Sequence, residues 1–587
     1  MMDRIRKEDP HPAAFDPVYP VHPVNSLSAH TLVVSQRHQR LNPSSMRISP
    51  TAIEDQTYDL LIIGAGINGA GIARDAAMRG LKVLLLDKGD IASGTTSWST
   101  RLIHGGLRYL EHGEFGHVRE SLREREHLLR IAPHLVKPLP LLIPIYDRNR
   151  RGKLAIRAGM IAYDFLSFDK SLSRHRMLTP EEATDYAPGL DLTGLRGAAL
   201  YYDAQIEYAE RLVVENALSA AEHGAHILTY ARVEEFIVED NSLCGVKFID
   251  GLSGSSHIAR AAFSVNVSGP WVDQVLSRAG AGVERQIGGT KGSHIIVERF
   301  PGAPKGAMYV EAGADQRPFF IIPWNNLYLV GTTDSAYEGD LDCVRASEEE
   351  IDYLLGETAR VIPRSQLDRN SVLYTYSGVR PLPYLPKGEP ASTTRRHFVR
   401  EHAPLLSGLV SIIGGKLTTY RSLAEQTVDL IFKKLRREPV RCRTASESLP
   451  GARSDDYAGF RIHFETESEL PKNVVERLLK VYGTRANEVL ALANDDPELC
   501  EQLSNTGAIA AEVVFSFRQE MAETLTDCLM RRTMVGWDAT LGLDAVEGAA
   551  RVARRFLGWD SERAASEIAE YQKYVARFHP ENISVVC

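Results

Sequence analysis

No stretch of this 587-residue chain approaches the ~18 uninterrupted apolar residues that a membrane-spanning helix needs. The chain is therefore expected to be intracellular and not to cross a bilayer. A basic excess is missing as well. Lys and Arg number 68 against 76 Asp and Glu, a net charge of -8, which excludes a general binder of nucleic-acid phosphates. Cysteine is scarce. The six (Cys244, Cys343, Cys442, Cys500, Cys528 and Cys587) show neither C-x-x-C nor any other metal spacing. They suit incidental thiols in a reducing compartment better than a disulfide framework, and no metal site is expected.

The N-terminal stretch lacks periodic structure, with seven prolines before residue 56 and no helical or strand period longer than Thr31 to Ser35. It has no apolar core for a signal peptide, and Asp3, Glu8, Asp9 and Asp16 disfavour a mitochondrial presequence. Residues 1–56 are read as a disordered extension, with Met46 as a candidate start. What remains is ordinary for a globular protein, 44% hydrophobic and 25% charged, and long enough for several domains.

Within that chain, Tyr58 to Asp87 (YDLLIIGAGINGAGIARDAAMRGLKVLLLD) has the size of one nucleotide-binding βαβ unit. Leu60 to Ile63 fits a buried parallel strand. Gly64, Gly66 and Gly69 give G-x-G-x-x-G at the turn into a helix, and Lys82 to Leu86 is the second strand. Asp87 closes it, about 20 residues past the motif, where a carboxylate can hold a ribose hydroxyl. Glycines alone are weak evidence. Glycines, flanking strands and terminal acid together indicate a bound dinucleotide. Residues 89 to 115 then form a loop rich in Gly, Ser and Thr, which suits wrapping a pyrophosphate and a flavin ring better than the short αβ unit of a nicotinamide enzyme.

Further along, 135 to 168 alternates apolar and basic residues, with Pro138, Pro140 and Pro144 excluding a helix in its first third. Ser121 to Leu129 reads as a charged helix and Ala204 to Gly224 as an amphipathic one. Strands are expected at Ile227–Thr229, Phe236–Val238, Val246–Ile249, Ala262–Val267 and Leu409–Ile413. Residues 290 to 334 alternate like an antiparallel sheet with a turn at Trp324-Asn325-Asn326. After 446 the pattern is helical, at Asn473–Tyr482, Ala486–Leu492, Ala508–Glu520 and Ala545–Leu557. The apolar run Leu139–Ile145, followed by Arg148, Arg150, Arg151, Lys153 and Arg157, is a candidate for peripheral contact with anionic lipid, weighed evenly against a core strand with solvated arginines.

The stretches IGAGINGAGIARDAAMRG (63–80), TTSWSTRLIHGGLRYLEHGEF (95–115), NVSGPWV (266–272), KGSHIIV (291–297), IIPWNNLYLVGTTD (321–334), YTYSGVRPL (374–382) and GGKLTTYRSLAEQ (414–426) resemble the FAD-dependent glycerol-3-phosphate dehydrogenases, within the D-amino-acid-oxidase-like flavoproteins. Ala65 stands where the family often has a glycine, and NVSGPW replaces NATGPW. The resemblance implies an α/β fold: a Rossmann-like FAD-binding domain, an antiparallel-sheet substrate domain and a C-terminal helical domain. The expected bounds are 57–445 for the oxidoreductase part (FAD-binding about 57–135, 200–290 and 370–445; substrate about 136–199 and 291–369) and 446–587 for the helical domain. It further implies non-covalent FAD, glycerol 3-phosphate as substrate, a membrane quinone as acceptor and a peripheral site on the inner membrane face. A homodimer is an open alternative, as are an oxidase discharging to O₂ and an amine or amino-acid oxidase.

Cofactor contacts are expected from Gly64, Gly66, Gly69, Asp87, Thr95, Ser97, Ser99, Val233, Gly269, Gly414, Gly415 and Leu417. The resemblance associates Arg380, Arg395 and Lys416 with the substrate phosphate and puts Arg108 near the pocket. Arg108, Arg380 and Lys416 each lie beside glycines, which lets a ligand approach. For the base that takes the hydroxyl proton, His104 in LIHGG stands first and Lys291 second, with His294 an alternative and Tyr109 assisting.

Overall fold

The alternation of apolar runs and glycine turns builds two sheets, seen in a computed structural model that describes residues 47–111, 113–279, 284–384 and 396–580. The tail before residue 47 and the candidate phosphate ligand Arg395 lie outside the described residues.

The first sheet, eight strands among the described residues, has a parallel centre ordered Leu409–Ile413, Ser256–Asn266, Thr57–Ile63, Val83–Leu86 and His226–Leu228. Leu60 to Ile63 are buried, as a strand covered on both faces requires. Thr57–Ile63 feeds the helix Ile67–Met78, which packs against Ala209–Glu222 and Tyr420–Lys434. Its small residues make that sandwich possible: a Cβ on Gly71 would sit 2.7 Å from the Tyr420 ring. The next strand, Val83–Leu86, pairs on one side of Thr57–Ile63, while Ser256–Asn266 pairs on the other. The order reverses there, and the crevice at the strands' carboxyl ends is where ligands of open α/β sheets bind.

The second sheet, ten strands among the described residues, is mostly antiparallel. Its hairpin from Pro318–Trp324 to Leu327–Gly331 turns on Asn325 and Asn326, both at positive φ (51° and 62°), as a two-residue hairpin of this hand requires. Two expectations change here. Residues 204 to 206 are not helical but end the strand Leu195–Ile206, and the helix runs Ala209–Glu222. The strand wins because it pairs along Val136–Tyr146 for its whole length. That pairing also buries all of Leu139 to Ile145 except the half-buried Pro140, so this run is a core strand and not a lipid anchor. Arg151 behind it is claimed by Glu111 and Glu311. The charged helix is longer than its pattern, Phe115–Ile131.

The C-terminal helices include Lys472–Tyr482, Ala486–Asp495, Ala510–Gln519 and Val546–Phe556. Their apolar faces and the second sheet share one core, in which Trp537 meets Tyr376 and Trp324 edge-on at 5.7 and 5.8 Å. At the other end, order begins before residue 57. The helix Pro50–Glu54 buries Ile53, and Arg47 reaches Asp250 at 2.6 Å. Against the expectation of incidental thiols, Cys343 is disulfide-bonded, whereas Cys244, Cys442, Cys500 and Cys528 are free. Among the described residues, no helix is long and apolar enough to cross a membrane.

Candidate functional site

The three motif glycines have separate jobs. Gly64 holds φ +116° and lies so close to the strand end at Val267 that a Cβ would meet its carbonyl oxygen at 2.8 Å. A Cβ on Gly69 would fall 1.8 Å from Gly64 O, so this glycine lets the helix close on the turn. Gly66, the N-cap, faces room instead, with only Thr96 Oγ1 at 3.5 Å from such a Cβ. A phosphate can approach there, where the helix N-terminus offers its positive dipole end.

That room belongs to a cavity of about 630 Å³. Of the cofactor residues named from sequence, Gly64, Gly66, Asp87, Thr95, Ser99, Val233, Gly269, Gly414, Gly415 and Leu417 line it. Gly69 does not, being consumed by packing. Ser97 does not either: it is buried and donates to Ala92 O at 2.7 Å, which braces the loop. Asp87 accepts from Ala65 N at 2.5 Å and Gly89 N at 2.8 Å. Burial is the main reason its carboxyl is pushed up to about 6, with the charge of Asp90 adding and the two amides opposing. Asn68, Thr96 and Trp271 also line the cavity and were missed in the sequence. Asn68 sits inside the glycine motif, one residue past the helix start, and that position was the available signal.

The polar lining fits a flavin dinucleotide. Asn68 Oδ1 and Trp271 Nε1 are buried with no hydrogen-bond partner in the protein, an arrangement that costs free energy unless a ligand supplies partners. Lys88, Arg232 and Arg278 line the cavity with basic side chains, as a pyrophosphate requires.

The remaining candidates divide by strand parity. On Thr290–Val297, successive side chains point to opposite faces. Lys291 and Ser293 both meet Glu350, Lys291 Nζ at 2.8 Å, with Arg345 O as its second partner at 3.0 Å. Burial would raise Glu350, but Lys291, Thr333 and the Ser347 amide hold it below the ordinary carboxylate range. His294 lies on the opposite face beside Arg380, which covers Gly292. The structure thus separates Lys291 from the face that carries His294. His294 is itself buried, with Nε2 3.0 Å from Thr100 Oγ1 and its ring 4.7 Å from Tyr376. Burial, then Arg380 and Arg101, lower it to about 3.

Arg380 is fixed on both arms: Nη1 to Asp334 at 3.1 Å, Nη2 to Thr332 Oγ1 at 3.0 Å and Thr333 O at 3.2 Å. Pro381, its neighbour, lines the cavity together with Lys416.

His104 is half-buried. Its amide donates to Thr418 Oγ1 at 3.2 Å, and its ring stands edge-on to Phe320 at 6.3 Å. This bond ties the flavin loop to the turn Gly414–Leu417. On the same patch Lys416 Nζ lies 3.7 Å from the Tyr109 ring centroid, and Tyr109 folds over Gly106, where a Cβ would meet it at 2.3 Å. Arg108 precedes Tyr109, and its charge reaches Tyr309, which packs edge-on to Phe320 at 5.3 Å. Thr418 thus links His104 to the turn that carries Lys416, and Lys416 meets Tyr109.

Residues 59–421 match the family described as FAD dependent oxidoreductase, and residues 442–564 match the C-terminal domain of alpha-glycerophosphate oxidase. The chain is 48% identical over 541 residues to a glycerol-3-phosphate dehydrogenase of Synechocystis sp., spanning 89% of this chain and 97% of the relative. An aerobic glycerol-3-phosphate dehydrogenase of Staphylococcus epidermidis is 34% identical over 493 residues, 82% of this chain and 87% of the relative. Among solved structures, the glycerol-3-phosphate dehydrogenase from Bacillus halodurans complexed with FAD superposes with TM-score 0.75 at 29% identity, over 91% of this chain and 98% of that one.

Proposed function

The chain belongs to the FAD dependent oxidoreductase family, among the glycerol-3-phosphate dehydrogenases, and on that premise we propose that it oxidises sn-glycerol 3-phosphate to dihydroxyacetone phosphate and passes the electrons to a quinone. The observation that carries this reading is the continuity of one cavity from the glycine turn to Lys416 and Pro381, so that a dinucleotide site ends at Lys416 and at Pro381, one residue from Arg380 in sequence. FAD, when bound, supplies the hydride acceptor. The rest falls to the chain. Gly66, Asn68 and Asp87 hold the nucleotide end. Arg380, already held by Asp334 and Thr332, and Lys416 bind the phosphate of the substrate. His104 accepts the proton of the secondary hydroxyl at its imidazole, its approach fixed by Thr418 and the Phe320 edge.

The acceptor is tested by turnover in air with and without a short-chain quinone. A quinone-linked enzyme gives little peroxide and speeds up severalfold on quinone addition. Stoichiometric peroxide with no response to quinone identifies an oxidase instead.

Membrane contact is assigned to a surface other than the buried run at 139–145. The helix Lys153–Leu166 turns Met160 and Tyr163 inward, while Leu154 (83% exposed), Ile161, Phe165 and the following Phe168 form an outward stripe. Their spacing of seven, four and three residues is one helix face. Arg150, Lys153 and Arg157 flank it, all exposed. The Arg119 guanidinium lies 4.6 Å from the Phe168 ring centroid, and Arg119 also lines a hollow of about 490 Å³ with Arg123, Arg396 and His397. Apolar insertion beside basic charge selects an anionic bilayer, each basic residue adding ~1 kcal/mol. Co-sedimentation with phosphatidylglycerol vesicles should fall at least tenfold in a Phe165→Glu, Phe168→Glu double variant, while turnover with a soluble dye stays near wild type. Undiminished sedimentation would remove this surface and leave the catalytic reading intact.

A further inference from the structure

The helical C-terminal part carries no cofactor motif, yet it reaches the cofactor cavity through buried charge. Asp90 is 1% exposed and stands three residues past Asp87, in the turn that forms the cavity wall. Its carboxylate takes Arg531 Nε at 2.6 Å and Arg532 Nη1 at 2.8 Å on one oxygen, and Arg532 Nη2 at 2.7 Å on the other. Both arginines are anchored in their own domain. Arg532 Nε donates to Glu520 O at 2.6 Å, and Arg531 Nη2 to Asp527 Oδ1 at 2.7 Å. The same Asp527 oxygen accepts from the Tyr230 hydroxyl at 2.6 Å.

Tyr230 closes the circuit. Its amide donates to Gly89 O at 3.0 Å, and the next amide, Ala231 N, donates to Asp87 O at 2.6 Å. Ala231, Arg232 and Val233 line the cavity beside Asp87, Lys88 and Gly89. One buried quartet of Asp90, Asp527, Arg531 and Arg532 therefore holds both adjoining segments of the cavity lining.

We propose that the C-terminal domain is a clamp on the cofactor, with Arg531, Arg532 and Asp90 as positioning residues that hold the Asp87–Gly89 turn and the Tyr230–Val233 strand in the geometry that retains FAD. This rests on the cofactor assignment and is independent of the substrate and acceptor.

Charge supplies the discriminating readout. Burial would raise Asp90, but Arg532 and Arg531 outweigh it and keep the carboxyl below its usual range, so Asp90 is a charged neighbour of Asp87. The other charges near Asp87 are Lys88 beside it and Arg232, Arg278 and Asp342 around the cavity. Beyond Asp90 lie Arg531, Arg532 and Asp527. An ionised Asp87 accepts ribose hydroxyls better than a neutral one, so FAD retention should weaken as pH falls through the Asp87 ionisation. Removing the negative charge at 90 moves that ionisation, and with it the retention midpoint, to lower pH. Exposing Asp90 by loss of Arg532 moves it to higher pH.

The test follows FAD release from the full-length holoenzyme by recovery of flavin fluorescence, from pH 5 to 8. Asp90→Asn should release FAD about tenfold faster at pH 8, because charge-assisted bonds on the turn are lost, with its midpoint shifted down. Arg532→Gln should release it faster still with the midpoint shifted up. Tyr230→Phe should speed release severalfold with no shift. If Arg532→Gln fails to fold, the sign of the Asp90→Asn shift decides. Wild-type release in Asp90→Asn, or faster release with an unmoved midpoint, would reduce the quartet to structural packing and overturn the proposal.

Discussion

Replacing His104 by Gln is expected to slow anaerobic flavin bleaching by sn-glycerol 3-phosphate ~10²–10⁴-fold, the range for loss of a positioned base. FAD content and substrate affinity should change little. The tether that orients this segment is the His104 backbone amide on Thr418, which the substitution leaves in place. The imidazole must be neutral to accept that proton, a capacity the Gln side chain lacks. Lys291 is a weak substitute because it faces Glu350 across the strand. His294 is neutral already, but it is buried behind Thr100. A purely structural His104 predicts the reverse pattern, with flavin lost, stability lowered and the surviving holoenzyme bleaching within a few-fold of wild type.

Arg380→Ala should raise KM for glycerol 3-phosphate roughly ten- to a hundredfold, each charge-assisted hydrogen bond being worth ~1.5–3 kcal/mol. Free glycerol, a poor substrate without the phosphate, should be nearly unaffected. The guanidinium is well suited to this because its arms are fixed before substrate arrives, on Asp334, Thr332 and Thr333. Arg380→Lys keeps the charge but not the fork and should fall between. Equal losses on both substrates would show that Arg380 supports the fold or the flavin, with Asp334 the group left unbalanced.

The nucleotide turn was legible because everything in it is local. A strand, three glycines and an acid within about 30 residues dictate one geometry. Alternation on Thr290–Val297 assigns Lys291 and His294 to opposite faces, but what each face meets depends on pairing with Val372–Arg380, some 80 residues away in sequence. Ser97 shared the polar composition of its loop and turned inward, a choice made by Ala92 O. Residues 204 to 206 looked helical because their apolar spacing suits either element, and pairing with Val136–Tyr146 decided for strand. The Asp90–Arg532 contact joins residues 442 apart and has no signature in either segment. The helical C-terminal domain was legible from its periodicity, whereas the core it shares with the second sheet has no local signature.

If a flavin site adjoins a phosphate-binding oxidation site at Lys416 and Pro381, the substrate must reduce the bound flavin directly. Anaerobic titration of the holoenzyme's visible spectrum with sn-glycerol 3-phosphate tests it most directly. The flavin band should bleach with one equivalent of dihydroxyacetone phosphate formed per FAD, and should not bleach with glycerol or with a small amino acid at the same concentration. Bleaching by the amino acid, or an unbleached flavin with saturating glycerol 3-phosphate, would contradict it.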